Sequence, residues 1–126
     1  SSTASDNTSV PPGQDIYGFQ SISQRDPNLA LAGLRIEIEK RLSRLAEVTG
    51  VTQRRPMGIG QLLRNLTQRE VLTSEERAIL SDMTNLLNAP VHGAFVDPQS
   101  AHWAIDVGPR LLTSLNARIE EAKRAR

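Results

Sequence analysis

A narrow polar stripe in this sequence combines side chains that can form hydrogen bonds and transfer protons. Ser81, Asn85, Asn88 and His92 follow one another at intervals of four, three and four residues, so a helix would carry them on one face. Asparagine amides both donate and accept hydrogen bonds, and a neutral histidine can act as a general base near pH 7. The competing interpretation is an ordinary solvated helix face. The spacing alone favours it, even though asparagine is a mediocre helix former.

Four helices are predicted to position these residues, because apolar side chains recur every three or four positions along most of the chain. No segment shows the alternation of a strand, so the predicted fold class is all-α, a bundle of four to five helices. We expect a first helix from Asp26 to Gly50, a second over Ile59–Gln68, a third that starts at a capping box of Thr73 and Glu76, and a fourth that starts at Asp97 and Pro98.

Two prolines fall inside these predicted helices. Pro90 is expected to end or kink the third helix and Pro109 to kink or split the fourth, because proline lacks an amide donor and clashes with the preceding turn.

Three large side chains lie off the apolar stripes. Leu29 and Ile36 either widen the core face of the first helix or contact a partner. Trp103 either packs against the tail or the loop before the fourth helix, or lies exposed at a dimer contact.

The composition excludes several classes of function. The 126 residues suffice for one domain with its own core, and the formal net charge of +1 argues against binding nucleic acid or membranes through overall charge. The chain has no cysteine, which excludes disulfides, thiolate metal sites and cysteine nucleophiles. With only His92 and His102, a zinc site within one chain is not expected, although two chains could pool ligands. We expect no cofactor and no metal.

Residues 1–25 are predicted to be a polar tail or linker, and residues 26–126 the helical domain. An apolar cluster in the tail, from Ile16 to Ile22, is either a strap packed on the domain, which we favour, or a short interaction peptide. Because the chain begins with Ser1, we expect a piece of a longer or processed protein. No apolar run is long enough to cross a bilayer, so we expect a cytoplasmic domain, with an upstream membrane anchor left open.

A short string at the end of the third predicted helix resembles the hallmark of one uncharacterised branch of the HEPN domains, a helix that ends in Arg-Asn, three residues and then His-Gly. The string here is Leu87-Asn88-Ala89-Pro90-Val91-His92-Gly93. The segments Leu34 to Leu42 and Leu62 to Leu72 are similar to that branch as well, so the resemblance spans roughly three quarters of the chain.

The resemblance implies a helical bundle that pairs into a homodimer. In many HEPN domains the dimer is a metal-independent endoribonuclease, in which paired Arg and His side chains activate the ribose 2′-hydroxyl and stabilise the phosphate transition state. This chemistry is physically reasonable, since an imidazole can take the proton and a nearby cation stabilises the developing charge.

Leu87 departs from the hallmark, because it stands where that branch has an arginine. We therefore expect a degenerate HEPN-like domain that serves a larger bacterial protein as a non-enzymatic interaction and dimerisation module. The alternative is an endoribonuclease, a toxin or defence effector, that uses His92 and Asn88 as catalytic residues at a dimer cleft. RNA would then be the partner, and Asn85 would contribute to binding it.

A replacement cation would have to come from elsewhere in the sequence. The candidates are Arg110 and the partner's Arg54 and Arg55, which a folded dimer could bring to the cleft. Arg54 and Arg55 together are also candidates for binding a nucleotide or a small anion. The ordinary interpretation of these two residues is a solvated connector between helices.

Overall fold

The computed structural model describes residues 26–51, 57–91 and 96–125. These residues contain four helices and no strand, which confirms the all-α fold class: α1 (Pro27–Val48), α2 (Ile59–Gln68), α3 (Ser74–Val91) and α4 (Pro98–Arg124). α1 packs most extensively on α4 and also contacts α2 and α3, while α3 packs on both α2 and α4. The arrangement is a four-helix bundle with α1 against all the others. The predicted tail, residues 1–25, lies outside the described residues.

Side chains cap three of the helix starts, as the sequence predicts. An Oδ atom of Asp26 accepts a hydrogen bond from the amide of Leu29 at 3.2 Å, and Asp97 caps α4 in the same way at 3.2 Å. Thr73 and Glu76 form a reciprocal capping box at the start of α3, with bonds of 3.0 and 3.1 Å. These bonds satisfy amides that have no partner within the helix.

α1 and α2 end in the same Schellman motif, which needs one residue with positive φ. That residue is Gly50 after α1, with φ of 85°, and Glu70 after α2, with φ of 56°. The amide of Val51 then donates to the carbonyl of Ala46 at 2.8 Å, and Val71 makes the equivalent bond at 3.4 Å. Gly50 is therefore the stop signal that the sequence predicts, whereas Glu70 takes the same role without the freedom of a glycine.

Neither proline divides its helix. α3 runs one residue past Pro90, to Val91, and α4 continues through Pro109, so of the two alternatives predicted for the fourth helix, a kink or a split, the split does not occur. Pro109 removes one backbone hydrogen bond, but α4 buries side chains on both sides of it, including Ala104 and Leu112. We attribute the continuity of α4 to this packing, which offsets the lost bond.

The core lies between α1 and the other three helices and is built largely from leucine. α1 and α4 approach closely where Gly108 faces Leu34, since a Cβ on Gly108 would lie only 2.7 Å from Leu34 Cδ1. Leu34 is completely buried, so it has little room to move. Among the described residues, no helix combines the length and the apolar character needed to cross a lipid bilayer.

Candidate functional site

Arg35 on α1 reaches across the bundle to the C-terminal end of α3. One terminal nitrogen, Nη1, donates hydrogen bonds to Oδ1 of Asn88 and to the carbonyl oxygen of Leu87, the latter at 3.3 Å. Its Nε lies 3.7 Å from a carboxylate oxygen of Glu39, one turn further along α1. We call Arg35, Glu39 and Asn88 the α1–α3 polar cluster.

The positions of buried neighbours explain why Arg35 points this way. Leu34 and Ile38 are both fully buried, and Arg35 is adjacent to this stripe, at the edge of the core rather than on the outer face of α1. On α3 the side chain of Leu87 is buried and that of Asn88, the next residue, is half-buried at the edge of the same core. The side chains of Arg35 and Asn88 therefore meet at the edge of the core between α1 and α3.

Leu87 is a core residue in this fold, since only 2% of its surface is exposed. A guanidinium attached at position 87 would have to start inside the apolar core, where a charge is costly unless it is paired. The positively charged side chain at this end of α3 is that of Arg35, which belongs to α1. The sequence pattern does not indicate this role of Arg35, because Arg35 is separated from Asn88 by 53 residues and no periodicity links them.

The chemistry open to the α1–α3 polar cluster is limited by its own bonds. Arg35 is a planar donor suited to phosphate oxygens, but its Nη1 already serves Asn88 and a backbone carbonyl, and Glu39 offsets its charge. The side chain of Arg35 is about a quarter exposed, at 24%, so one edge stays open to water. The cluster therefore ties α1 to α3, and it presents a partly neutralised guanidinium beside Asn88.

The other predicted site residues do not all gather at this cluster. Asn85 is exposed and lines a cavity between α3 and α4. Arg110 lies at a different cavity, beside the first turn of α3, where it is paired with Asp106 at 3.3 Å. Asn88 stands about 18 Å further along α3 than Glu76, which lines the cavity of Arg110, at about 1.5 Å per residue. The structure thus does not bring Arg110 to Asn88.

His92, Arg54 and Arg55 lie outside the described residues. The backbone of α3 is helical up to Val91, so the described structure extends to the residue before His92. The predicted roles of these three side chains therefore stay predictions from sequence.

The cavity beside Asn85 has a volume of about 530 Å³ and opens between the second half of α3 and the first turns of α4. We call it the α3–α4 cavity. Trp103 is half-buried against the core and also lines this space, so its surroundings among the described residues are the core and the cavity. The lining comprises Asp82, Asn85, Leu86, Val96, Asp97, Ser100 and Trp103.

A second cavity, of about 410 Å³, lies beside the start of α3, and its most buried polar residue is Glu76. The carboxylate of Glu76 accepts hydrogen bonds from the Thr73 amide and the Ser114 hydroxyl, and it lies 3.3 Å from Nε of Arg118. Thr73 lies at the start of α3, and Ser114 and Arg118 lie on α4, so this carboxylate links α3 to α4. The spacing of Thr73 and Glu76 in the sequence predicts the capping bond, but the contacts of Glu76 with α4 depend on tertiary packing and are not visible in the sequence.

In the part of the chain that the structure describes, no three His, Asp or Glu side chains converge as a metal site would require. The sequence matches no protein-family model, and comparisons with curated proteins and with solved structures give no match.

Proposed function

We propose that this chain is a non-enzymatic interaction module, a degenerate HEPN-like domain that forms a homodimer within a larger cytoplasmic protein of bacteria. One observation carries the proposal. Leu29 and Ile36 are large hydrophobic residues on the outer face of α1, and they remain 57% and 53% exposed. Among the described residues, these are the large hydrophobic side chains most open to water, which favours a role in contacting another surface.

The outer face of α1 suits a two-fold pairing of identical helices. Leu29 and Ile36 lie seven residues apart, about two turns or 10 Å along α1. Between them on that face stand Ala32, which is exposed, and Gly33, whose small size lets a second helix approach closely. In an antiparallel pair, Leu29 of one copy would meet Ile36 of the other, as an isologous interface requires.

The state of the α1–α3 polar cluster also supports a non-enzymatic role. Leu87 is part of the core, and the nearby guanidinium of Arg35 is held by Asn88 and paired with Glu39. A group that stabilises a phosphate transition state must be free to meet the developing charge. Here Arg35 and Asn88 form bonds that join α1 to α3 instead.

Sedimentation equilibrium tests the proposed homodimer. The interface is small against the roughly 800 Å² per partner of a standard complex, so we expect a dissociation constant in the micromolar range, on the order of 10 µM. Ile36→Glu should leave a monomer at every concentration, because it buries a charge in the interface. Asn116→Glu, which adds the same charge at an exposed position on α4, should leave the dimer intact.

A monomeric wild-type chain at about 100 µM, roughly ten times the expected dissociation constant, would count against the dimer. A monomer that Ile36→Glu destabilises would further indicate that the exposed face of α1 is covered from within the chain, as the predicted strap from Ile16 to Ile22 would do. Both results contradict the proposal.

One observation favours a second function, a metal-independent endoribonuclease. The guanidinium of Arg35 lies against Asn88, four residues before His92 in the sequence, so a cation is present near the string that resembles the HEPN hallmark. In that function His92 would take the proton of a ribose 2′-hydroxyl, and Arg35 would meet the charge on the phosphate.

An RNA-cleavage assay separates the two functions. Labelled single-stranded RNA would be incubated with chelator and with wild type, His92→Ala or Arg35→Gln, after circular dichroism has shown that each is folded. The interaction module predicts the same background signal from all three proteins. Cleavage by the wild type that both substitutions abolish would establish the nuclease and overturn the non-enzymatic role.

A further inference from the structure

The α3–α4 cavity contains two carboxylates that have no positive partner among the described residues. Asp82 and Asp97 both line it, and neither forms an ion pair with any of the described residues. By contrast, Asp106, which is exposed on α4 and does not line the cavity, pairs with Arg110. One oxygen of Asp97 caps α4 by accepting from the amide of Ser100, which leaves its other oxygen for a further contact.

An aromatic ring and two aliphatic side chains complete the lining. Trp103 is half-buried, packs against the core and borders the same cavity as the two carboxylates. Leu86 and Val96 are packed against the same core and provide apolar surface. An indole attracts organic cations, two carboxylates pair with them, and aliphatic walls suit the methylene stem of lysine or arginine.

We propose that the α3–α4 cavity binds a lysine or arginine side chain from a basic peptide segment of a partner protein. This inference rests on the proposed role of the chain as an interaction module, for which it names a partner chemistry. The occupant follows from charge complementarity. A volume of about 530 Å³ also exceeds what a single side chain fills and leaves room for its neighbours in a peptide.

The lining of the cavity argues against three other occupants. Residues 1–25 of the chain contain Asp6, Asp15 and only one basic residue, Arg25, so the tail does not complement an acidic cavity. RNA is disfavoured as well, because both carboxylates would repel its phosphates. A metal ion is disfavoured too, because no three His, Asp or Glu side chains among the described residues lie close enough together to bind one.

The single tryptophan of the chain makes binding measurable, since all its tryptophan fluorescence comes from Trp103. The full chain would be titrated with an eight-residue peptide of alternating arginine and glycine, and with a matched peptide of glutamate and glycine. Calorimetry of the same titrations would detect binding independently of fluorescence. We expect saturable binding of the basic peptide, weakened by added salt, and none of the acidic peptide.

Matched variants locate the binding. Asp82→Asn should weaken binding of the basic peptide by about three- to tenfold, and Asp97→Asn should also weaken it while keeping the cap of α4, because asparagine caps helices as well as aspartate does. Asp106→Asn makes the same change of charge on α4 outside the cavity and should leave the affinity unchanged.

Three results would overturn the inference: no binding by either method, equal affinity of wild type and Asp82→Asn, or binding of butylguanidinium as tight as that of the peptide. The last would mean that the cavity takes a small organic cation. Failure here is distinguishable from failure of the proposed homodimer. Asp82→Asn should sediment like the wild type, and a monomeric wild type that still binds the basic peptide would refute the homodimer alone.

Discussion

Arg35 occupies the edge of the apolar stripe of α1, next to Leu34, and its guanidinium crosses to Asn88 on α3. The hydrogen bond from Arg35 to Asn88 contributes to the stability of the fold because the guanidinium is charged, and hydrogen bonds of charged groups are stronger than neutral ones. Partial exposure of Arg35 to water reduces that contribution. The pair therefore allows a quantitative test at the scale of single residues.

A double-mutant cycle of Arg35→Met and Asn88→Ala should give a coupling energy of about 0.5–1.5 kcal/mol in urea unfolding, since methionine keeps the aliphatic contacts of Arg35. The control cycle uses Arg44 and Glu47, which are paired on α1 with side chains 48% and 68% exposed, and it should show much weaker coupling. Equal coupling in the two cycles would contradict the role of Arg35 in tying α1 to α3.

At the scale of helices, the sequence predicts what local interactions determine. The caps at Asp26, Thr73 and Asp97 lie within four residues of the amides that they bond, so their spacing is visible in the sequence. The bond from Arg35 to Asn88 joins residues that are distant in the chain, and only the packing of α1 on α3 creates it. The continuity of α4 through Pro109 also depends on packing, which the local rule for proline does not include.

The two Schellman motifs make opposite predictions for substitutions. Glu70→Gly should stabilise the protein by about 0.5–1 kcal/mol, because glycine adopts the positive φ of this position without strain. Gly50→Ala should destabilise it by about 1 kcal/mol, because alanine adopts the positive φ of this position only with strain. Steric overlap does not add to this cost, since no described atom lies closer than 4.0 Å to the added Cβ. Both changes are measurable by urea unfolding, and effects of the same sign would refute the explanation.

The contact between α1 and α4 gives a further prediction. Gly108→Ala should destabilise the protein by about 1–2 kcal/mol, because the new Cβ would overlap the buried Leu34 and this cost exceeds the gain in helix propensity. Gly60→Ala on α2 is the control, since no described atom lies within 4 Å of its added Cβ, and it should be neutral or slightly stabilising. Thermal unfolding of the two variants compares them, and a stabilised Gly108→Ala would show that the helices can move apart freely.

At the scale of the whole molecule, the net charge of +1 conceals an uneven distribution. The α3–α4 cavity contains two carboxylates that form no ion pair with the described residues, the outer face of α1 contains exposed Leu29 and Ile36, and Arg35 is held inside the α1–α3 polar cluster. Two of these three features face outward and suit contacts with other proteins. The sequence predicts the hydrophobic pair as residues off the main stripe, but the cavity depends on how α3 and α4 pack.

The most direct test of the proposed function is sedimentation equilibrium of the wild type and Ile36→Glu, measured side by side from about 1 to 100 µM, a range that brackets the expected dissociation constant. We expect the wild type to pass from monomer to dimer over this range and Ile36→Glu to stay monomeric while remaining folded. A wild type that is monomeric throughout, or a dimer that Ile36→Glu leaves unchanged, would contradict the assignment of the outer face of α1 as the interface.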